Sequence, residues 1–418
     1  MRLSCDREWE RAMGEVPTGL VSATRMPFAT AEGLGRANAG LVLAAVLSEG
    51  PLARAEVAER VGLTRATVTR VVARLIELGL LREGTPRRDS PGRPMVPLTL
   101  AGDDRAVVSV HFGAHECRVG LVDLRGRVLD ESRDRYATNE PQQIVQMIAN
   151  RVAVLSSRVL GQTRLLGVGA SIGGWLQSES GEVVRFDPLG WRRVPLATLL
   201  AQSIDLPLYL DQAVRGLALA ERMFGAARGL DDFVEMWIGN VVGAAVVHDG
   251  VVRSGVTGAS GMIAHFPTRD PASTMCECGR VGCLEKSVND DAILVAARAR
   301  GISSATADIR DVVDQAQRGD DRARALLAEK GEIAGECAAA IADLLDPAAW
   351  VVAGVSTTGD AFLEAFIRSF STHAQRADGL DIRASAFGDL APTIASASVL
   401  LDAYYRDPLG FERRATSR

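Results

Sequence analysis

The chain has 418 residues, 47% of them hydrophobic and 24% charged, which is typical of a folded globular protein with more than one domain. This composition excludes a wholly disordered chain, and no apolar run approaches the roughly 18 residues that a membrane-spanning helix needs. The N-terminal residues MRLSCDREWERAMGEV carry charges where a signal peptide would be apolar. We therefore expect a cytoplasmic protein without a membrane segment.

The charge of the chain is unevenly distributed. The whole protein has a net charge of −5, yet residues 36–100 contain ten arginines against six acidic residues, a local net charge of +4. A basic N-terminal module on an acidic body indicates an anionic partner for the module.

The N-terminal region has the pattern of three short helices followed by two strands. Residues 1–35 show no period and are interpreted as a tail or a loosely attached helix. Helices are predicted over residues 36–48, 54–61 and 64–78, and Thr64 is a good N-cap for the third. The stretches 80–81 and 95–100, with a basic turn between them, predict a two-stranded wing. Residues 36–100 would thus form one domain.

The third helix has the composition of a DNA-recognition helix. Val68, Val71, Val72 and Leu75 form one apolar stripe. Arginine and threonine on the opposite side can bond base edges in the major groove, and wing arginines can reach phosphates or the minor groove. The predicted DNA-binding residues are Arg65, Thr67, Thr69, Arg70, Arg74, Arg87, Arg88 and Arg93. The alternative is an ordinary amphipathic helix with solvated arginines, but its place within three helices and a basic wing favours DNA binding.

From residue 106 onward, strands and helices alternate. Two regions, 106–230 and 231–406, each open with a run of short strands, which predicts an internally duplicated α/β fold. Residues 407–418 are interpreted as a C-terminal tail.

A cysteine cluster predicts a metal site. Cys276, Cys278 and Cys283 follow the spacing C-x-C-x4-C, and His265 precedes Cys276 by eleven positions. Three thiolates and one imidazole complete a tetrahedral, structural zinc site that leaves no position for water. The alternative is three reduced, buried cysteines beside a surface histidine.

These motifs together resemble the ROK family, which groups bacterial repressors and sugar kinases. The segment from His265 to Glu285 is similar to the family signature H-x10-C-x-C-G-x-x-G-C-x-E, and the resemblance extends over about residues 36–406. It implies an α/β protein in which an N-terminal winged helix-turn-helix domain of the repressor branch precedes a two-lobed, actin-like (ribonuclease-H-like) ATPase-type fold. Lobe 1 would span residues 106–230, and lobe 2, with the zinc knuckle, residues 231–406.

The kinase features of the family are altered in this chain. Where family kinases have D-x-G-G-T-K, this chain has HFGAHE, so that His111 replaces the acid and the lysine is missing. The position of the family's catalytic aspartate is Ala213, whose methyl group cannot accept a proton; Asp211 could replace it only if the register shifted. The two further glycine-rich turns are degraded at residues 239–245 and 353–356. We therefore expect no kinase activity.

The sugar-binding residues are partly kept. Glu285 and His265 match family residues at the sugar site, whereas Met262 replaces a glutamate that bonds sugar hydroxyls. The structural alternative for Glu285 is a surface carboxylate next to the knuckle.

The sequence thus predicts a non-enzymatic, sequence-specific regulator of transcription, acting as a repressor of carbohydrate-related genes. It would bind double-stranded DNA as a homodimer or homotetramer, under the control of a sugar, a sugar phosphate or a partner protein in the interlobe cleft. Two alternatives stay open: a sugar kinase with a fused DNA-binding domain, and a DNA-binding protein whose cleft binds nothing.

Overall fold

The N-terminal module is a winged helix. The computed structural model describes residues 31–86, 95–376 and 380–416. Strands β1 and β2 both pair with β3 in antiparallel fashion, so the predicted wing is confirmed and gains a short third strand. The elements are α1 (Ala31–Glu49), β1 (Leu52–Ala53), α2 (Arg54–Val61), α3 (Arg65–Glu77), β2 (Leu81–Glu83) and β3 (Pro97–Leu100).

The helices of the module follow local sequence signals. Helix α2 has the predicted bounds, α3 begins after its N-cap Thr64, and α1 begins earlier than predicted, at Ala31. The four apolar residues of the α3 stripe are at most 9% exposed. Burial of such side chains contributes about 1.5–3 kcal/mol each relative to exposure, which fixes the face that α3 turns toward the core.

The first sheet of the body has five strands in the order β11-β7-β4-β5-β6, and a small sheet β10-β9-β8 lies beside it. The small sheet was not predicted from the sequence, because its strands of three to five residues are too short to show a period. The elements are β4 (Arg105–Phe112), β5 (Glu116–Asp123), β6 (Val128–Arg135), α4 (Pro141–Val159), β7 (Arg164–Ile172), β8 (Trp175–Gln177), β9 (Glu182–Phe186), β10 (Trp191–Val194), α5 (Leu196–Ser203), β11 (Leu208–Gln212) and α6 (Ala213–Phe224).

The second sheet has the order β14-β13-β12-β15-β16. Helices α7 to α11 accompany it, and α12 and α13 end the chain. The elements are β12 (Phe233–Ile238), β13 (Val242–His248), β14 (Val251–Val252), α7 (Leu284–Val288), α8 (Asp290–Ala299), α9 (Ile309–Gln317), α10 (Asp321–Leu345), β15 (Ala349–Ala353), α11 (Asp360–His373), β16 (Asp381–Ala384), α12 (Ala391–Arg406) and α13 (Pro408–Thr416).

The two sheets have the same topology, which confirms the predicted duplication. In each, three successive strands pair in antiparallel fashion and two later strands are added in parallel beside the first of them. This duplicated arrangement is that of a two-lobed, actin-like body, so the mixed α/β fold class is confirmed.

The C-terminal helices return to the first sheet and to the module. Helix α12 packs on β4, β7 and β11 although it follows the second sheet in the chain, and α1 packs on α12 and α13. A Cβ atom on Gly40 of α1 would lie 2.5 Å from the carbonyl oxygen of Arg406, so only glycine permits this approach. Residues 408–416, predicted as part of a tail, form α13, in which Phe411 and Glu412 are buried.

Candidate DNA-binding surface, metal site and interlobe cleft

Helix α3 presents a basic face opposite its buried stripe. Arg65, Thr69, Arg70 and Arg74 are exposed, whereas Thr67 is half-buried. The N-terminus of the helix is stabilised by its cap, because the Thr64 hydroxyl accepts a hydrogen bond from the Thr67 backbone amide at 3.2 Å. The face of the first two turns that carries Arg65, Thr69 and Arg70 is therefore open to solvent, as entry into a major groove requires.

The predicted DNA-binding side chains differ in their availability. Within the described residues, Arg65 and Arg70 form no ion pair, whereas Arg74 pairs with Glu77 at 2.6 Å. The Thr67 hydroxyl lies 3.0 Å from that of Thr64 and so belongs to the helix cap. Arg65 and Arg70 are therefore the strongest candidates for base contacts on this helix.

Of the other predicted DNA-binding residues, Thr69 forms a hydrogen bond within α3, and the wing arginines lie in a segment that the structure does not describe. The Thr69 hydroxyl donates to the backbone carbonyl of Arg65 at 2.8 Å, which leaves its oxygen free to accept. Arg87, Arg88 and Arg93 of the wing lie outside the described residues.

The four predicted metal ligands come together. Single donor atoms of His265, Cys276, Cys278 and Cys283 all lie within 4.8 Å of one another. The Nδ1 atom of His265 is 3.4 Å from the Cys276 sulfur, and the Cys278 and Cys283 sulfurs are 3.4 Å apart. Zinc bonds of about 2.0–2.3 Å in a tetrahedron would place donors about 3.5–3.8 Å apart, so the cluster fits a metal ion of this kind.

Residues 275–283, called the knuckle below, form a tight backbone turn that carries the three cysteines. Met275 and Val281 form an antiparallel bridge, and the Gly279 amide donates to the Cys276 carbonyl at 2.8 Å with a φ of 82° at Gly279. The Nε atom of Arg280 lies 3.5 Å from the Cys278 sulfur, and this donor lowers the pKa of the Cys278 thiol to about 6. A lower thiol pKa favours the thiolate form that binds metals.

Both lysines of the chain form ion pairs with acidic residues near the knuckle. Lys286 lies 2.8 Å from Glu277, between two of the cysteines, and Lys330 on α10 lies 3.1 Å from Asp270. The pair of Lys330 and Asp270 is buried on both sides, at 3% and 2% side-chain exposure. It attaches the segment before Cys276 to α10, a contact that no sequence motif indicated.

The predicted sugar-site residues Glu285 and His265 both lie at the cysteine–histidine knuckle. Glu285, on α7, is half-buried, and its Oε2 accepts a hydrogen bond from the Val242 amide at 3.0 Å. Burial raises the pKa of the Glu285 carboxyl. Glu285 is therefore not a fully exposed surface carboxylate, and it connects the knuckle to the start of β13.

The residues at the kinase positions have other partners. Ala213 is the first residue of α6, and Asp211, at the end of β11, accepts a hydrogen bond from the Arg215 Nε at 2.8 Å. Arg215 is 1% exposed and also donates to the Gly258 carbonyl at 3.0 Å. The spacing Asp211-x-x-x-Arg215 at the start of a helix is a local signal from which this pair can be predicted.

The His111 side chain, at the position of the acid in the family's first kinase motif, is hydrogen-bonded to another side chain of the body. Its Nδ1 lies 3.0 Å from the Ser171 hydroxyl, and Ser171 lies 2.7 Å from Ser396 of α12. Burial lowers the pKa of His111 to about 3, so the imidazole is neutral at pH 7. It supplies no negative charge where family kinases have an aspartate.

One carboxylate joins the two lobes through arginines. Asp389, just before α12, forms ion pairs with Arg118 of β5, Arg133 of β6 and Arg310 of α9. The Arg133 guanidinium contributes to a lowered pKa of Asp389, although burial acts in the opposite direction. No sequence motif indicated this cluster, because its members come from four separate segments.

The described structure defines a winged-helix module joined to a duplicated α/β body with a cysteine–histidine knuckle. The ROK family model matches residues 107–403, and the MarR family model matches residues 32–90. The chain belongs to the ROK family and carries a MarR-type winged helix at its N-terminus, which confirms the resemblance stated above.

Named relatives include regulators of transcription. A transcriptional regulator of Mycobacterium tuberculosis is 33% identical over 405 residues, which cover 91% of this chain and 89% of that protein. The DNA-binding transcriptional dual regulator NagC of Escherichia coli K12 is 26% identical over 81% of this chain and 86% of its own length. The crystal structure of a ROK family transcriptional regulator, a homolog of the E. coli MLC protein, has a TM-score of 0.76 at 23% identity. It covers 92% of this chain and 100% of its own, and at this identity the likeness shows the fold.

None of the described helices is both long and apolar enough to span a bilayer.

Proposed function

We propose that this protein is a sequence-specific, DNA-binding regulator of transcription that represses carbohydrate-related genes in the cytoplasm. The observation that carries the proposal is the exposed N-terminal face of α3, with Arg65 and Arg70 unpaired among the described residues, on a module docked to a ROK body. The names of the relatives, which include transcriptional regulators and a xylose repressor, support it.

The regulator would act as a homodimer or homotetramer. Two recognition helices on one face of DNA read a two-fold site whose halves lie about one helical turn apart. Arg65 and Arg70 would contact base edges, and Arg74 and the wing arginines Arg87, Arg88 and Arg93 would contact phosphates or the minor groove.

The knuckle would hold a structural zinc ion. His265 and the three cysteines would occupy all four positions of a tetrahedral zinc ion. The ion would then cross-link the segment that carries His265 to the one that carries the cysteines, with no open position for catalysis. Zinc content measured on purified protein tests this, and a stoichiometry near zero in protein purified without chelator would refute it.

A sugar-derived ligand would bind in the cleft next to the knuckle, with Glu285 and His265 as its contacts. Such a ligand controls DNA binding only if its affinity differs between the DNA-bound and the free arrangement of the protein. The replacement of an acceptor by Met262 favours a ligand other than a plain hexose, because sugar hydroxyls need buried partners.

Phosphoryl transfer is not part of the proposal. Catalysis of this reaction depends on positioned phosphates, metal ions and a base. Here Ala213 cannot accept a proton, Asp211 is bound to Arg215, and His111 is neutral and bound to Ser171.

A sugar kinase with a fused DNA-binding domain is the second candidate, because the body has the fold of family kinases. An ATP-dependent phosphorylation assay over a panel of sugars separates the two. We expect no turnover; turnover that Asp211→Asn abolishes would establish the kinase.

A regulator whose cleft binds nothing is the third candidate, motivated by Ala213 and Met262. A thermal-shift screen with sugars and sugar phosphates tests it, since saturable stabilisation by any of them shows a ligand site. No shift from any compound would favour ligand-independent DNA binding.

The decisive experiment is enrichment of genomic DNA fragments on the purified protein at near-physiological salt. Recovery of one or a few discrete sites supports a sequence-specific regulator, and the genes beside them indicate the ligand class. Uniform recovery that salt abolishes would show contacts to the DNA backbone alone and would refute the proposal.

A further inference from the structure

Arginines of the body bind backbone carbonyls at the ends of module elements. The accepting carbonyl groups lie at the C-terminal ends of α1, α3 and β3. The last carbonyl groups of a helix have no hydrogen-bond partner within the helix and are free to accept from another part of the protein. The three contacts are Arg105 to Leu78 at 2.6 Å, Arg125 to Leu100 at 2.6 Å, and Arg228 to Leu47 and Ser48. The module is thus held by its backbone, and not only by the apolar surfaces it shares with the body.

Arg105 is the buried member of this set, with 6% of its surface exposed. It is the first residue of β4, and its Nη2 donates to the carbonyl of Leu78, the C-cap residue of the recognition helix α3. A guanidinium at this end of a helix also interacts favourably with the helix dipole. Arg105 therefore attaches the recognition helix directly to the first sheet.

The same guanidinium is fixed from the other side by the C-terminal helix. Its Nε donates to Oε1 of Glu412 on α13 at 3.2 Å, and both side chains are at most 7% exposed. Glu412 also accepts hydrogen bonds from the Tyr404 hydroxyl of α12 at 2.8 Å and from Arg164 of β7. The Arg105 guanidinium is thus held between α3 and α13, and Tyr404 and Arg164 in turn hold Glu412 in place. Arg105 therefore has little freedom to move.

We propose that Arg105, held by Glu412, is a positioning residue that sets the direction of the recognition helix relative to the body and so determines which half-site spacing the protein accepts. This inference rests on the proposed function, since it needs two modules on one DNA site. In a symmetric assembly the bodies fix the distance between modules, and the Arg105 contact converts that distance into a fixed separation and angle of the two α3 helices.

The experiment compares spacing preference in wild type and in the double variant Arg105→Met/Glu412→Gln. This variant removes the contact to Leu78 without leaving an unpaired buried carboxylate, which would be strongly destabilising. The probes are the best genomic site recovered by the enrichment, the same site with one or two base pairs inserted between its halves, and one isolated half-site. One inserted base pair rotates a half-site by about a tenth of a turn, since a turn holds about 10–10.5 base pairs.

We expect wild type to bind the lengthened sites at least about tenfold more weakly than the natural site, the scale of one mismatched base pair. The double variant should lose most of that difference while keeping wild-type affinity for the half-site. Partial unfolding would instead lower affinity for every probe by one factor, so the spacing preference separates positioning from stability. Arg105→Lys provides a second variant if the double variant does not fold. The Nη1 of Arg105 also donates to Asp104 at 2.6 Å, and a single ammonium nitrogen cannot take the places of Nε, Nη1 and Nη2 at all three acceptors.

Arg158→Met is the matched control. Arg158 is exposed on α4, pairs with Asp130 and has no contact with the module among the described residues, so its loss should leave the spacing preference unchanged. A folded Arg105 variant with the wild-type spacing preference overturns the inference alone. Wild-type protein that recovers no discrete site refutes the proposed function, and the inference with it.

Discussion

Two glutamates, Glu221 and Glu235, are buried in the body, and the structure predicts opposite effects of their removal. Glu235 on β12 is fully buried, and neither of its carboxylate oxygens has a hydrogen-bond partner among the described residues. Burial and the nearby charge of Glu221 raise its pKa well above the usual range. Glu221, by contrast, accepts bonds from the amides of Ala226 at 2.6 Å and Ala386 at 3.0 Å and from the Ser385 hydroxyl.

We expect Glu235→Met to stabilise the protein at neutral pH. A buried polar group without a partner costs about 1–3 kcal/mol, and methionine fills a similar volume without that cost. For a domain of 150–250 residues, 1 kcal/mol corresponds to about 2–4 °C in Tm. Glu221→Met should have the opposite effect, because it removes the acceptor of three hydrogen bonds around a buried side chain.

The difference in unfolding free energy between Glu235→Met and wild type should increase with pH. Because its pKa is higher in the folded than in the unfolded protein, the folded state binds more protons, and wild-type stability falls as pH rises above the unfolded value of about 4.3. The fall is about 1.4 kcal/mol per pH unit until the pH reaches the folded pKa. The advantage of Glu235→Met over wild type should therefore grow with pH over this window.

Thermal unfolding followed by circular dichroism at several pH values between about 5 and 8 measures both effects on wild type and the two variants. Equal Tm values of wild type and Glu235→Met at every pH would show that the carboxyl has a partner in solution. A Glu235→Met protein less stable than Glu221→Met would refute the reasoning.

Three further changes have defined outcomes. Arg65→Ala should cost about 1–3 kcal/mol of affinity for the preferred site and relax base preference at one position; a DNA titration that shows unchanged affinity would disprove our placement of α3 in the groove. Cys278→Ser should lose zinc and lower the Tm, and full metal occupancy in that variant would contradict the assignment of the ligands. Gly40→Ala should destabilise the protein by about 1–3 kcal/mol, since the added methyl meets the Arg406 carbonyl at 2.5 Å. Gly35→Ala on the same helix meets nothing within 4 Å and should be neutral or stabilising by about 0.5–1 kcal/mol; equal losses from both would show that α1 does not pack as described.

Local patterns were sufficient to predict the module and the metal cluster. Helix α2 has its predicted bounds, the N-cap and apolar stripe of α3 are where periodicity placed them, and the duplicated strand pattern became two sheets of equal topology. The spacing of three cysteines and His265 predicted a cluster that the fold assembles. Caps, periods and short spacings act over a few residues, so they are visible in the sequence itself.

Short or irregular elements were harder to predict. Strand β1 has two residues, and β8 to β10 have three to five each, too few to show a period. Helix α13 falls in residues 407–418, which the sequence predicts as a tail, because no local pattern indicates that Phe411 and Glu412 become buried against distant parts of the chain.

Patterns along the chain were thus enough to define the class of the protein: a basic winged helix on a ROK body with altered kinase positions and a cysteine–histidine knuckle. The connections between these parts follow from the folded arrangement. Arg105 and Glu412 are 307 positions apart, Lys330 and Asp270 are 60 apart, and Asp389 meets arginines of both lobes. No period or motif encodes such pairs, because their partners become neighbours only when elements that are distant in the chain pack together.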